Sequence, residues 1–396
     1  MTGQAHPVPA RLARLRRGAI AALVVGLLAC LAGGLANPAQ FYRSWLFAFL
    51  FWVNVGVGCL SLLLIQHLTG GMWGLVIRRL LEAGARTLYL APLLFVPVIL
   101  GLGQIYPWAH ADAASDPILL KKAPYLNTSF FVVRAVFYFA VWAGLAFVLS
   151  RLSARLDAGP SVKVSRQLRG VSGVGLLLMG FTITFASVDW AMSLDPHWFS
   201  TLYGVMFMVG QALAALTLVI VLLAVFVGEE PFAGVVKPGD SHDLGKLMLA
   251  FTMLWAYMHL SQFLIIWAGN LPEEIPWYIR RTHGGWQYVA QLLIVFHFTL
   301  PFLLLLSRDL KRDATSLARL AGFVFVVRML ELYWLVAPDL QGHGEGSHGI
   351  AVHGLDLATP LAVGGIWLAF FASELSKRSL LPLGEPEMRE RMQRAA

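Results

Sequence analysis

Side chains able to carry protons or charge stand at a few isolated places in an otherwise apolar sequence. In "FASVDWAMSLDPHWFSTLYG" the carboxylates Asp189 and Asp195 and the imidazole of His197 fall close together. Carboxylate and imidazole groups at a membrane interface can pass protons or hydrogen-bond a quinone carbonyl. The same residues also suit structure: Asp195 and Pro196 fit a turn capping the next helix, and Trp190 and Trp198 fit an interfacial aromatic belt. Downstream, "WAGNLPEEIPWYIRR" supplies Glu273 and Glu274, with Arg280 and Arg281 near enough to balance them in a solvated loop.

Other ionisable residues lie inside apolar runs, where each costs several kcal/mol unless it faces protein or water. Arg134 sits in "SFFVVRAVFYFA", and Arg328 and Glu331 in "VVRMLELYW". Their spacing of three puts Arg328 and Glu331 on one helix face, where they can neutralise one another. His259 and His297 each lie roughly ten residues from the same end of neighbouring antiparallel segments, a geometry open to a haem iron. Two-haem cytochrome b bundles, however, carry two histidines on each of two helices, and no such repeat is present. The stretch "QGHGEGSHGIAVHG" carries His343, His348 and His353 with Glu345, spaced by glycines. It reads as an exposed Gly-rich loop with at most opportunistic metal affinity. Cys30 and Cys59 sit in apolar runs without a CxxC, CxxCH or four-cysteine cluster, which argues against an iron–sulfur cluster or c-type haem on this chain. Neither a catalytic nor a cofactor or metal ligand set is therefore expected on it.

The elements that must position these groups follow from composition. The 396 residues are 58% hydrophobic and only 13% charged, a surface that water would not tolerate and a bilayer solvates. Runs of about 20 apolar residues, the length that crosses a hydrocarbon core, occur near 18–36, 45–67, 86–107, 128–150, 170–190, 200–227, 244–268, 286–306, 317–337 and 355–375. The expected fold is thus an all-α integral membrane protein of ten spans, a single polytopic domain over 1–396, with basic tails at 1–17 and 376–396. Loops such as "HADAASDPILLKKAPYLN" and "GEEPFAGVVKPGDSHDLG" are rich in Gly, Pro and Asp. The start "RLARLRRGAIAALVVGLLAC" resembles a signal peptide, but the run continues through Gly33 and Leu35 to a full spanning length.

The net charge of +8 belongs to topology rather than to nucleic acid. With the amino terminus inside, about 23 of the 30 Lys and Arg fall on its side, five on the other and two within spans. This count predicts a bacterial inner-membrane protein with both termini cytoplasmic and the acidic loops periplasmic.

Two longer stretches carry a family likeness. "FASVDWAMSLDPHWFSTLYGVMFMVGQALAALTLVIVLL" and "MLWAYMHLSQFLIIWAGNLPEEIPWYIRR" resemble ActF, the second NrfD-like (polysulfide-reductase-type) membrane subunit of bacterial alternative complex III. The likeness is best across roughly 180–310; where that family has a tyrosine before the "N-L/I-P-E-E" element, this chain has Ala268 and Gly269. The resemblance implies two four-helix bundles, spans 2–5 and 6–9, with spans 1 and 10 outside them. It implies a subunit of a quinol:cytochrome c or quinol:oxidase oxidoreductase with no redox centre of its own. Haem c and iron–sulfur clusters would reside in partner subunits, a multihaem cytochrome and an iron–sulfur protein. An NrfD-like sister subunit would oxidise quinol, with a terminal oxidase as a further partner and quinone nearby. The ActF type is associated with proton conduction, and Arg134, Asp189, His259, Arg328 and Glu331 are the buried candidates for it. The expected route runs from Arg328, Glu331 and His259 to a periplasmic mouth formed by Asp189, Asp195, His197, Glu273 and Glu274. Competing readings are a stand-alone secondary transporter, a quinone-binding anchor of another oxidoreductase, and a purely structural docking subunit.

Overall fold

The computed structural model describes residues 10–110, 114–340 and 349–394. Among them there is no strand, and ten helices are long and apolar enough to cross a membrane. In chain order they are span 1 (Ala10–Ala36), span 2 (Pro38–Thr69), span 3 (Arg78–Leu100), span 4 (Thr128–Ala158), span 5 (Val162–Leu194), span 6 (Tyr203–Phe226), span 7 (Pro238–Gly269), span 8 (Trp286–Leu306), span 9 (Ala314–Leu340) and span 10 (Leu355–Leu375). All ten expected spans are present, and the protein is an all-helical multi-pass membrane protein. Polar side chains cap the starts of spans 2, 4 and 5. Asn37 accepts from the Gln40 N–H at 3.1 Å and Asn127 from the Phe130 N–H at 2.9 Å, satisfying donors that a helix start leaves free.

Spans 2, 3, 4 and 5 pack as one four-helix bundle and spans 6, 7, 8 and 9 as a second. The bundles meet along spans 2 and 6, with span 5 also against span 6. Burial follows position: 83% of the apolar window of spans 2 and 6 is buried, against 17% for span 1. The seam is close because Gly58 has no side chain; a Cβ there would run into the Gln211 carbonyl. Such near backbone approach is how apolar helices gain dispersion contact where lipid offers no hydrophobic drive. Span 1 pairs with span 10 through the small residues Ala19, Gly26, Ala362 and Gly365. Span 10 is no bystander, since it also packs on spans 2 and 3, and the Trp52 indole donates to the Pro360 carbonyl at 2.9 Å.

Two segments differ from the expected loops and tails. "RRLLEAGAR" begins span 3, and all nine of its residues are buried. The carboxyl segment, read as a tail, lies across the basic end of both bundles and ends in the helix Pro386–Gln393. Glu385 pairs with Arg78 of span 3 at 2.5 Å, and Arg391 with Asp240 of span 7 at 2.9 Å.

Candidate functional site

Among the described residues polar clusters interrupt the apolar interior at several places, and the first lies outside the residues to which the sequence pointed. At the basic end Glu82, with a fully buried side chain, accepts from Arg79 at 2.6 Å and from the Ser153 hydroxyl at 2.6 Å. Arg78 lies 3.5 Å from Glu82, and Arg79 reaches Asp157 at 2.5 Å. His67 contacts Arg78 at 3.0 Å and Ser172 at 3.3 Å, while Arg86 pairs with Glu374 at 3.4 Å. Spacings of three and four between Arg79, Arg78 and Glu82 were readable as helical pairs. Nothing local announces Asp157, Glu374 or Glu385.

The second cluster is at the opposite end of the first bundle. Arg134 of span 4 grips Asp189 of span 5 through two hydrogen bonds, 2.8 and 2.9 Å, and the Tyr138 hydroxyl donates to the same carboxylate at 2.7 Å. Arg134 also donates to the Tyr125 carbonyl at 2.9 Å, and its guanidinium lies 3.8 Å from the Tyr125 ring. Asp189 is fully buried and fully used, a geometry that charge-assisted bidentate pairing makes rigid.

Asp195 forms a third cluster. It is buried and ion-paired with Arg280, which lies 3.3 Å from Asp339; Arg281 pairs with Asp339 at 2.6 Å and donates to the Leu335 carbonyl at 2.5 Å. Arg281 stacks 3.6 Å from the Trp277 ring, and Trp277 stacks on Trp198. The two arginines therefore bind Asp195 and Asp339, rather than Glu273 and Glu274 as the sequence suggested. Glu273 is exposed and Glu274 half-buried, and neither makes an ion pair among the described residues. His197 is half-exposed and meets Asp116 at 2.7 Å. The Ile118 N–H, with the His197 imidazole beside it, holds the Asp116 carboxyl below the usual carboxylate range.

The fourth cluster lies inside the second bundle. Arg328 and Glu331 form the expected ion pair on one face of span 9. Glu331 Oε1 is 3.1 Å from His259 Nε2 and 3.3 Å from the Trp255 indole nitrogen, both on span 7. The Trp255 ring packs on His259 and on His297 of span 8, with centroids 4.4 and 4.0 Å apart. His297 is fully buried, and neither ring nitrogen has a hydrogen-bond partner. It sits in a π-helical turn, Ile294–Thr299, a local widening found often where helices carry function. Gly210 of span 6 makes the room for Arg328, because any Cβ there would overlap the guanidinium.

The chain thus brings Arg328, Glu331, His259 and His297 together. It brings Arg134 to Asp189; the His197 N–H donates to Asp195 Oδ1 at 3.2 Å, while the two side chains take different partners, Asp116 and Arg280, and Glu273 and Glu274 pair with neither among the described residues. His343, Glu345 and His348 lie outside the described residues; the His353 N–H donates to Asp356 at 2.9 Å. Among the described residues no group of three His, Cys, Asp or Glu side chains is placed to hold a metal ion. Fold and clusters together define a polytopic helical membrane protein with buried ionic groups in both bundles. No protein-family model and no curated protein matches the chain.

Proposed function

We propose that this chain is an ActF-like, NrfD-type membrane subunit of a bacterial quinol-oxidising respiratory complex, alternative complex III. Its role there is to conduct protons and dock partner subunits. It spans the inner membrane with both termini cytoplasmic, and partner chains hold the haem c and iron–sulfur centres. One observation carries the proton role: a carboxylate, a guanidinium and two imidazoles share the interior of the second bundle, away from the ion-paired ends. A purely structural pair needs Arg328 and Glu331 only. Two buried imidazoles beside them, one with no hydrogen-bond partner on either ring nitrogen, cost stability and offer groups able to take up a proton. Glu331 Oε1 stands 3.1 Å from His259 Nε2, and the Trp255 ring packs between His259 and His297, touching both.

Glu331→Gln in the assembled complex is expected to retain quinol oxidation and lower the protons moved per electron in reconstituted vesicles. Because Gln leaves Arg328 uncompensated, the paired variant Arg328→Gln/Glu331→Gln serves as the folding control. An unmodified proton ratio in either assembled variant would reduce the cluster to a structural pair.

A second reading, quinone binding, is favoured by one pocket. A cleft of about 230 Å³ opens beside the second and third clusters, lined by Tyr125, Leu126, Val188, Met192, Pro196 and Trp198. Trp198 is buried, and its indole N–H has no partner. Lys122 donates to the Pro196 carbonyl at 2.6 Å at the rim, where burial draws its ammonium below the ordinary lysine range. Mostly apolar walls with a few polar groups, here Lys122, Ser193 and the Trp198 indole, suit a quinone ring. Trp198→Phe keeps an aromatic face, though a smaller one, and deletes the donor, so the expected result is at least about tenfold weaker quinone-analogue binding, one hydrogen bond's worth. Unchanged affinity would remove this reading.

A further inference from the structure

Between the bundles, Leu50 and Asn54 of span 2, Trp190 of span 5, and Phe207 and Gln211 of span 6 line a small internal cavity, together with Ser187. Polar atoms concentrate there out of proportion to its size. Asn54 Nδ2, Trp190 Nε1, and both Nε2 and Oε1 of Gln211 are buried without a hydrogen-bond partner. Gln211 is 1% exposed and Trp190 3%. An unmet buried donor or acceptor costs about 1–3 kcal/mol, so four on one wall would be a heavy load for a seam built otherwise of apolar contacts. The space open to the centre of a water-sized sphere is about 10 Å³, which is about what one water needs.

We propose that this cavity is a binding site for a single ordered water that joins the two bundles. One molecule can answer three of the four unmet atoms, all but Gln211 Nε2. Its oxygen can accept from the Asn54 amide and the Trp190 indole. Its two protons can go to Gln211 Oε1 and to the Ser187 hydroxyl, whose own proton is given to the Thr184 carbonyl at 2.8 Å. A small ion does not suit the site, because no charged side chain lines it. A larger ligand does not fit the volume. Position gives the water its consequence. Ser187 and Trp190 flank Asp189 on span 5, and Gln211 follows the Gly210 that lies against Arg328 on the other side of the seam. The site is therefore the polar contact between the helix that carries the Arg134–Asp189 pair and the helix that makes room for Arg328. It does not depend on whether the chain conducts protons.

The test uses radiolytic hydroxyl labelling of the purified full-length protein, in which a bound water converts to a radical in place and marks the side chains around it. Trp190 and Phe207 are expected to be labelled despite burial, while Phe226, fully buried elsewhere in span 6, is not. The paired variant Asn54→Leu/Gln211→Leu should bring the label at Trp190 and Phe207 down to the level of Phe226. Should that variant fail to accumulate, Gln211→Met, which deletes both unmet atoms at similar length, serves in its place. Absence of label at Trp190 and Phe207 in the unmodified protein, or equal label after either substitution, would overturn the proposal.

Discussion

Glu82→Ala should destabilise the protein by about 3–5 kcal/mol, the usual cost of deleting one partner from a buried ion pair. The loss is large because Glu82 has no solvent to fall back on and two arginines depend on it. Arg79 is 2.6 Å away and Arg78 3.5 Å, both with side chains only 2% exposed. Ser153 would lose its acceptor at the same time. Asp157 and Glu385 can still hold the outer ends of Arg79 and Arg78, so the basic end should loosen before the rest. Thermal unfolding of the detergent-solubilised chain measures the loss, and proteolysis at the carboxyl segment reports the loosening. Glu82→Gln should cost less, since the amide still accepts from Ser153. A shift below about 1 kcal/mol for Glu82→Ala, the range of exposed pairs, would mean that water reaches this cluster.

The spans were legible because a bilayer asks for one simple thing, about 20 apolar residues, and the sequence supplies it ten times. Local ionic logic was legible too: Arg328 and Glu331 are three apart, and they pair. What sequence spacing could not reveal is partnership at long range. Arg280 and Arg281 are close in sequence to Glu273 and Glu274, yet they point instead at Asp195 and Asp339, which the fold carries to them. "RRLLEAGAR" precedes the apolar run that begins near 86, yet it is helical and buried. Burial there is made tolerable by Glu82 within the run and by carboxylates contributed from spans 4 and 10 and the carboxyl segment. Asn54 and Gln211 are single amides in long apolar runs, and only the packing brings them to one cavity.

Asp189→Ala is expected to cost about 3–5 kcal/mol as well, and here the pattern of variants decides what the residue is for. The carboxylate accepts two bonds from Arg134 and one from Tyr138, so removing it strands three donors in the first bundle. Arg134 keeps the Tyr125 carbonyl and the faces of Tyr125 and Phe130, which hold it in place but do not neutralise it. If Asp189 is a clamp, exchanging the whole set for apolar residues, Arg134→Met/Tyr138→Phe/Asp189→Leu, should recover most of the loss, as replacement of buried ion pairs by packed side chains commonly does. That variant should also move protons at the unmodified ratio in reconstituted vesicles. If Asp189 instead passes protons to the far face, the recovered variant will be stable and yet translocate fewer protons per electron. The geometry favours the clamp: every oxygen of Asp189 is already taken by an intraprotein donor, and the carboxylate has no exposed surface from which to release a proton. Under the proposed proton-conducting role, transfer would then depend on Glu331 and His259 in the second bundle, with the Arg134–Asp189 pair fixing spans 4 and 5 against one another.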